Sequence, residues 1–228
     1  MTDALFLQRP AGAAQQLFLL YHGVGGVPGD MQELGQALTQ AFSQAAIVCV
    51  PGPSACDLGA GRQWFSVQGI DDDNRPQRVA QALPLFVDEV RRWQTQLGVP
   101  ASATALIGFS QGAILALEAS KQPELLAARV VGIAGRFITL PVQMHAHCTV
   151  HLIHGKRDAV IPYGFTVAAG EHLVAMGADV TADVLPFVRH EMPSEVLELV
   201  LERLQGHIPQ ARWREALAAH AMAQGGKD

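Results

Sequence analysis

Residues 106–115 read LIGFSQGAIL, an apolar run broken at Ser110 and Gln111, with Gly108 and Gly112 two residues either side of the serine. Glycine and serine favour turns, so a surface turn is one reading. The flanks favour another. Residues 103–109, ATALIGF, have the length and apolarity of a strand buried on both faces, and residues 113–119, AILALEA, have the composition of a helix. A sharp turn of this kind, written G-x-S-x-G, thrusts a serine hydroxyl out as a nucleophile, and a Cβ at either glycine would collide with neighbouring backbone. The chemistry would be acyl transfer. It needs a base to take the serine proton, a carboxylate to orient that base, and N–H donors for the oxyanion. With nine histidines and 21 acidic residues in the chain, residue type alone does not name those partners.

The elements that must position them are legible as an alternation. Strands are predicted over residues 17–21, 47–50, 104–109, 130–134, 149–153 and 179–187, with a further edge strand at 5–7. The clearest helix spans 74–97, where Val79, Leu83, Phe86, Val90, Trp93 and Leu97 recur at spacings of four and three and draw one apolar stripe. The run DDDN at 71–74 offers it N-cap oxygens and negative charge, Pro84 is expected to bend it, and Gly98 and Pro100 to stop it after Arg91 and Arg92. Alternating strands and helices imply a mostly parallel central sheet with helices on both faces, and ligands bind such sheets at the carboxyl ends of the strands.

That rule filters the candidates. In α/β-hydrolases the chain order is nucleophile, acid, histidine. Asp158 lies in the loop just past the strand 149–153, whereas Asp179 opens the next strand and Asp183 interrupts it. Of the later histidines, His172 sits inside a helical segment, 164–176, and His207 and His220 lie in the C-terminal tail, so only His190 directly follows a strand. The oxyanion donors would be the amide of Gln111, next after the serine, and the amide of Val24 in the early loop LYHGVGG. A phosphate-binding loop is the rival reading of those glycines, but no GK[ST] or GxGxxG follows them.

HGVGG, GRQWFSVQGI, GFSQG, IHGKRDAVIP and a late histidine after a strand occur in that order between about residues 17 and 204, and together the chain resembles the phospholipase/carboxylesterase family of serine hydrolases. The resemblance implies an α/β-hydrolase fold and carries the family's triad onto Ser110, Asp158 and His190 and its oxyanion donors onto Val24 and Gln111. Two departures stand out. Many relatives have an acidic residue where this chain has Gly26, and His190 is followed by Glu191.

Composition bounds the rest. The 228 residues, 49% hydrophobic and 16% charged, suit one globular domain with a core over about 15–205 and a helical tail at 206–228. A net charge of −5 without a basic block disfavours nucleic acid as a partner, and no apolar run is long enough for membrane insertion. A cytoplasmic protein is expected, with a small-molecule ester or thioester as substrate; oligomeric state is open. Cys49, Cys56 and Cys148, an odd count without CxxC spacing, read as spare thiols. No metal or other cofactor is called for. The pair His145 and His147 before a strand invites a metal reading, but no carboxylate joins them and the triad chemistry needs no metal. The Gly- and Pro-rich stretch 51–73 is long for a loop, and its Trp64 and Phe65 are candidates for a substrate-pocket wall or for packing onto the core.

The reading that results is a serine carboxylesterase for short to medium chain esters. Its alternatives are a lysophospholipase or acyl-protein thioesterase, and a non-catalytic hydrolase-fold binding protein.

Overall fold

The computed structural model describes residues 4–225. Strands β1 (Leu5–Gln8), β2 (Gln16–Tyr21) and β3 (Ala45–Val50), with α1 (Gln32–Ala41) between the last two, open the chain. A short ribbon, β4 (Ser54–Ala55) and β5 (Arg62–Gln63), and α2 (Arg75–Leu97) follow. The second half runs β6 (Thr104–Phe109), α3 (Gln111–Ala119), β7 (Arg129–Ile133), β8 (Thr149–Gly155), α4 (Gly164–Ala175), β9 (Asp179–Leu185), α5 (Ser194–Gly206) and α6 (Gln210–Gly225). Seven strands form one sheet in the order β1-β3-β2-β6-β7-β8-β9. All pairings are parallel except β1 with β3, so the weakly signalled N-terminal strand is an antiparallel edge.

Side chains alternate across the sheet with the period of two that a strand imposes. Leu17, Leu19 and Tyr21 of β2 face the helices α2, α3 and α4, where Val90, Trp93, Leu115 and Leu173 complete one core. Phe18 and Leu20 face the opposite way into a second core closed by Leu34 and Leu38 of α1 and Val196 and Val200 of α5. Both faces are therefore covered, which is why the central strands read as continuous apolar runs. The strand order reverses at β2, whose neighbours are β3 and β6, so the loops after β2 and β6 sit side by side at the carboxyl edge.

Local departures from the predicted elements have local causes. β9 stops at Leu185 rather than 187, because Pro186 has no N–H for the ladder. α2 begins one residue later than predicted and continues through Pro84 to Gly98, which takes the left-handed conformation at φ 66°. The side chain of Asn74 does not cap that helix. Asp71 Oδ1 instead accepts the amides of Asp73 and Asn74 at 3.1 and 2.8 Å, and Asn74 Oδ1 accepts that of Asp71 at 3.2 Å, so DDDN closes a turn on itself. The stretch 51–73 is not wholly irregular, since β4 and β5 pair within it. The segment expected as a helical tail contains α6, whose described side chains are mostly exposed, and residues 226–228 lie outside the described residues. No described helix is long and apolar enough to cross a membrane.

Candidate active site

Ser110 occupies the single-residue turn between β6 and α3 with φ 53° and ψ −114°, a region that L-residues other than glycine rarely enter. Its amide donates to Ile133 O at 2.9 Å, tying the strained residue to the neighbouring strand. The two glycines permit this crossing. A Cβ on Gly108 would stand 2.5 Å from Gly112 O, and one on Gly112 2.7 Å from His22 O and closer still to Tyr21 O. α3 can thus start directly against β2, with Gln111 as its first residue and the orphan amides of a helix N-terminus beside the serine.

His190 joins this serine to Asp158. Its Nε2 lies 2.9 Å from Ser110 Oγ and its Nδ1 2.7 Å from Asp158 Oδ2. A carboxylate can only accept, so Nδ1 carries the proton and Nε2 is left to accept from the hydroxyl. The ring of Phe109 packs against the imidazole at 5.0 Å between centroids. Asp158 is held on both oxygens, with Oδ1 accepting the amides of Val160 and Ile161 at 2.8 and 2.9 Å. Burial pushes its pKa up, but the hydrogen bond from His190 and the two amides outweigh burial and leave it below the ordinary carboxylate range. Although β9 ends five residues before His190, the segment between reaches the acid loop because Gly155 has no side chain; a Cβ there would meet Arg189 O at 2.6 Å.

The loop after β2 is braced from two sides. His22 is buried, its Nδ1–H donating to Gly23 O at 2.7 Å and its Nε2 accepting the Gly52 amide at 2.9 Å, and burial lowers its pKa, which favours this neutral form. Trp64 Nε1–H donates to His22 O at 2.8 Å. The Gln111 side chain clamps the segment 64–65, its Oε1 accepting the Trp64 amide and its Nε2 donating to Phe65 O, each at 2.8 Å. The missing acidic residue at Gly26 has a spatial reason: Asp30 Oδ2, which accepts the Val27 amide at 2.9 Å, would lie 2.7 Å from a Cβ at position 26. Glu191, the other departure, turns to its own backbone and accepts the Arg189 amide at 3.3 Å.

A cavity of about 470 Å³ opens over Ser110 and Gln111, and Val24, Phe65, Ile114 and Val160 contribute to its wall. Of the two aromatic candidates only Phe65 lines it. Trp64 turns the other way, 5% exposed and packed edge-on against Tyr21 and Phe86, with its indole N–H held by His22 O. A larger void of about 650 Å³ lies at the amino ends of the strands, near Gln16, Thr104 and Arg129, on the side away from Ser110.

The rival residues are engaged elsewhere. Asp183 pairs with Arg203 at 2.6 Å, Asp179 accepts from Thr149, His207 and the Gln210 amide, and His172 Nε2–H donates to Pro141 O at 2.7 Å. The rings of His145 and His147 lie 5.6 Å apart, and a carboxylate does stand near them, Glu215, at 4.0 Å from His147. Among the described residues no group of three His, Cys, Asp or Glu is placed to hold a metal. Cys49 and Cys148 are buried thiols pushed up to about 12 by desolvation.

Three contributors carry no role in the sequence reading. His154, buried at the end of β8, places Nε2 2.8 Å from Ile161 O and 3.2 Å from Asp158 Oδ2, while its Nδ1 accepts from Thr166 at 2.8 Å; the only sequence signal is the HG that precedes the acid loop. Arg75 and Arg136 both line the cavity, and nothing local in the sequence marks either.

Comparison with known proteins bears on the family and the fold. The Phospholipase/Carboxylesterase family profile matches residues 2–208. Esterase YpfH of Escherichia coli (strain K12) is 45% identical over 216 residues, covering 95% of this chain and 93% of that one. The crystal structure of esterase PE8 superposes with a TM-score of 0.80 at 24% identity, over 90% of this chain and 99% of its own. The Bacillus cereus carboxylesterase superposes with a TM-score of 0.73 at 19% identity, over 88% of this chain and 92% of its own. The structural likeness bears on the fold, and the profile and the sequence relative bear on the activity. A profile spanning most of the chain and an esterase at this identity lead to one conclusion: the chain belongs to the phospholipase/carboxylesterase family and is an esterase of the α/β-hydrolase fold.

Proposed function

We propose that the protein hydrolyses short to medium chain carboxylic esters through an acyl-enzyme formed on Ser110, with His190 as base and Asp158 as the orienting acid. The observation that carries this reading is the unbroken hydrogen-bond chain from Ser110 Oγ through His190 to Asp158, at 2.9 and 2.7 Å. In the cycle His190 Nε2 takes the Ser110 proton as Oγ attacks the ester carbonyl, and the amides of Val24 and Gln111 stabilise the oxyanion. The imidazolium, stabilised by Asp158, then protonates the departing alcohol, and the neutral ring activates the water that releases the acid. The site performs each proton transfer with these side chains.

Phe65, Ile114 and Val160 offer an apolar wall to the acyl group, but an alkyl chain long enough to fill the cavity would have to lie against two guanidinium groups. That favours short to medium acyl chains. Ser110→Ala should fold and lose on the order of 10⁴-fold or more in turnover, and the wild-type protein should gain a fluorophosphonate adduct at Ser110. An Ala variant as active as wild type, or an adduct elsewhere, would remove Ser110 from the role. On a p-nitrophenyl panel from acetyl to palmitoyl, kcat/KM should peak early. A steady rise of about fourfold per CH₂ up to palmitoyl would favour a lysophospholipase or thioesterase instead.

A further inference from the structure

The cavity over Ser110 is lined largely by apolar side chains, and its charged lining residues are Arg75 from the start of α2, Arg136 from the loop after β7, and Asp72. The two arginine side chains are only 25% and 16% exposed. One carboxylate, Asp72, faces both, its Oδ1 lying 3.1 Å from Arg136 Nη2 and 3.8 Å from Arg75 Nε, and the charge of Asp71 also favours the charged form of Arg75. Asp72 is itself 87% exposed, so its charge is spent largely on water. Arg75 Nε is buried with no acceptor among the described residues, and burial and then the neighbouring Arg136 disfavour its charged form. The Arg136 guanidinium carbon sits over the Phe165 ring, 4.3 Å from its centroid, a cation–π contact that helps hold the side chain in place.

A purely structural role for the pair does not account for this arrangement. Anchoring the 71–74 turn would take one arginine, and exposed ion pairs of that kind stabilise little. Two neighbouring guanidiniums in a partly desolvated wall, one with an orphaned N–H, carry a cost that an entering anion relieves. Arginine forks match a carboxylate in particular, which accepts two parallel N–H bonds.

We propose that Arg75 and Arg136 form a subsite for a negatively charged group on the substrate, so that the esters this site takes best carry a carboxylate within reach of the scissile carbonyl. The proposal rests on Ser110 being the nucleophile, because the subsite is defined by the cavity it shares with that serine. Asp72 is then a resident competitor that the substrate anion displaces toward solvent.

The test compares charged esters with neutral partners of similar shape in two arms. On the acyl side mono-4-nitrophenyl glutarate is set against 4-nitrophenyl hexanoate, and on the alcohol side 4-(butyryloxy)benzoate against its methyl ester, followed by proton release. The readout is the ratio of kcat/KM for charged over neutral ester. In one arm wild type should favour the charged ester, and Arg75→Gln or Arg136→Gln should lower the ratio about tenfold, the usual size of a lost charged hydrogen bond. Arg136→Lys should retain more of it than Arg136→Gln. Asp72→Asn should raise the ratio, a gain that a misfolded variant cannot imitate. Calorimetric binding of monomethyl glutarate to Ser110→Ala, with and without Arg75→Gln, reads the subsite independently of turnover and separates its failure from that of the nucleophile assignment. Ratios that neither arginine variant lowers, a ratio that Asp72→Asn lowers, or binding that Arg75→Gln leaves unchanged would each overturn the proposal.

Discussion

At the scale of single residues, Asp158 is the most constrained group in the site. Three donors converge on a fully buried carboxylate, and His154 adds a fourth contact from behind. Asp158→Asn replaces an acceptor with an amide that can present N–H toward His190 Nδ1, leaving the imidazole in the wrong tautomer to accept from Ser110. The expected loss in kcat is about 10³- to 10⁴-fold with substrate binding retained, measured by steady-state kinetics. Asp179→Asn is the control that separates position from residue type. Asp179 holds Thr149, His207 and the Gln210 amide at the opposite end of the strands, so its loss should lower stability by about 1–3 kcal/mol in urea melts. A larger kinetic defect in Asp179→Asn than in Asp158→Asn would reverse the acid assignment.

At the scale of elements, the site depends on how closely α3 approaches β2. Gly112 is the contact point, and a methyl there meets backbone oxygens of Tyr21 and His22 that cannot move aside like the end of a side chain. Gly112→Ala should therefore push α3 off the sheet, carrying the Gln111 amide and its clamp on segment 64–65 with it. We expect a loss of about 1–3 kcal/mol in stability together with a larger loss of esterase activity. Gly164→Ala, at the first residue of α4 with nothing within 4 Å of the new Cβ, should be neutral or slightly stabilising. Equal behaviour of the two variants in denaturant melts and activity assays would show that α3 has room the structure does not display.

At the scale of the whole molecule, buried histidines set the response to acid. Burial first, then Arg129 and His207, push the His151 pKa down to about 3, and its Nε2 has no hydrogen-bond partner among the described residues. His22 and His154 are also lowered, chiefly by burial. An unfolded histidine titrates near 6.5, so below that pH the unfolded chain binds protons the folded chain refuses, and stability falls as pH falls. Asp158 and Asp179, both held below the ordinary carboxylate range, act in a lower window: their contribution is complete above about pH 3.9 and lost as pH drops through their folded values. Urea melts should thus show stability decreasing from pH 7 to 5, with His151 contributing a slope approaching about 1.4 kcal/mol per pH unit and His22 and His154 adding in the same direction. His151→Gln should flatten that slope, and a profile flat from pH 7 to 5 would contradict the burial of all three.

What was legible in the sequence is what local physics controls. The period of the apolar residues marked the strands and α2, the GFSQG turn demanded glycines around Ser110, and the rule of strand carboxyl ends selected Asp158 and His190, which the fold brings within hydrogen-bond reach of one another. Where a competing local interaction won, the reading slipped by little, as when Asp71 closed its own turn instead of leaving Asn74 to cap α2. Side-chain direction and convergence were decided only by tertiary structure. Whether Trp64 faced the pocket or the core depended on His22 O waiting on one side, a partner that no window around residue 64 contains. The same holds for the grip of His154 on the acid loop, for the clamp of Gln111 on Phe65, and above all for Arg75 and Arg136, which arrive from different elements at one wall. Secondary structure follows from the chain's own periodicity, but the lining of a cavity follows from distances between segments that only packing brings into register.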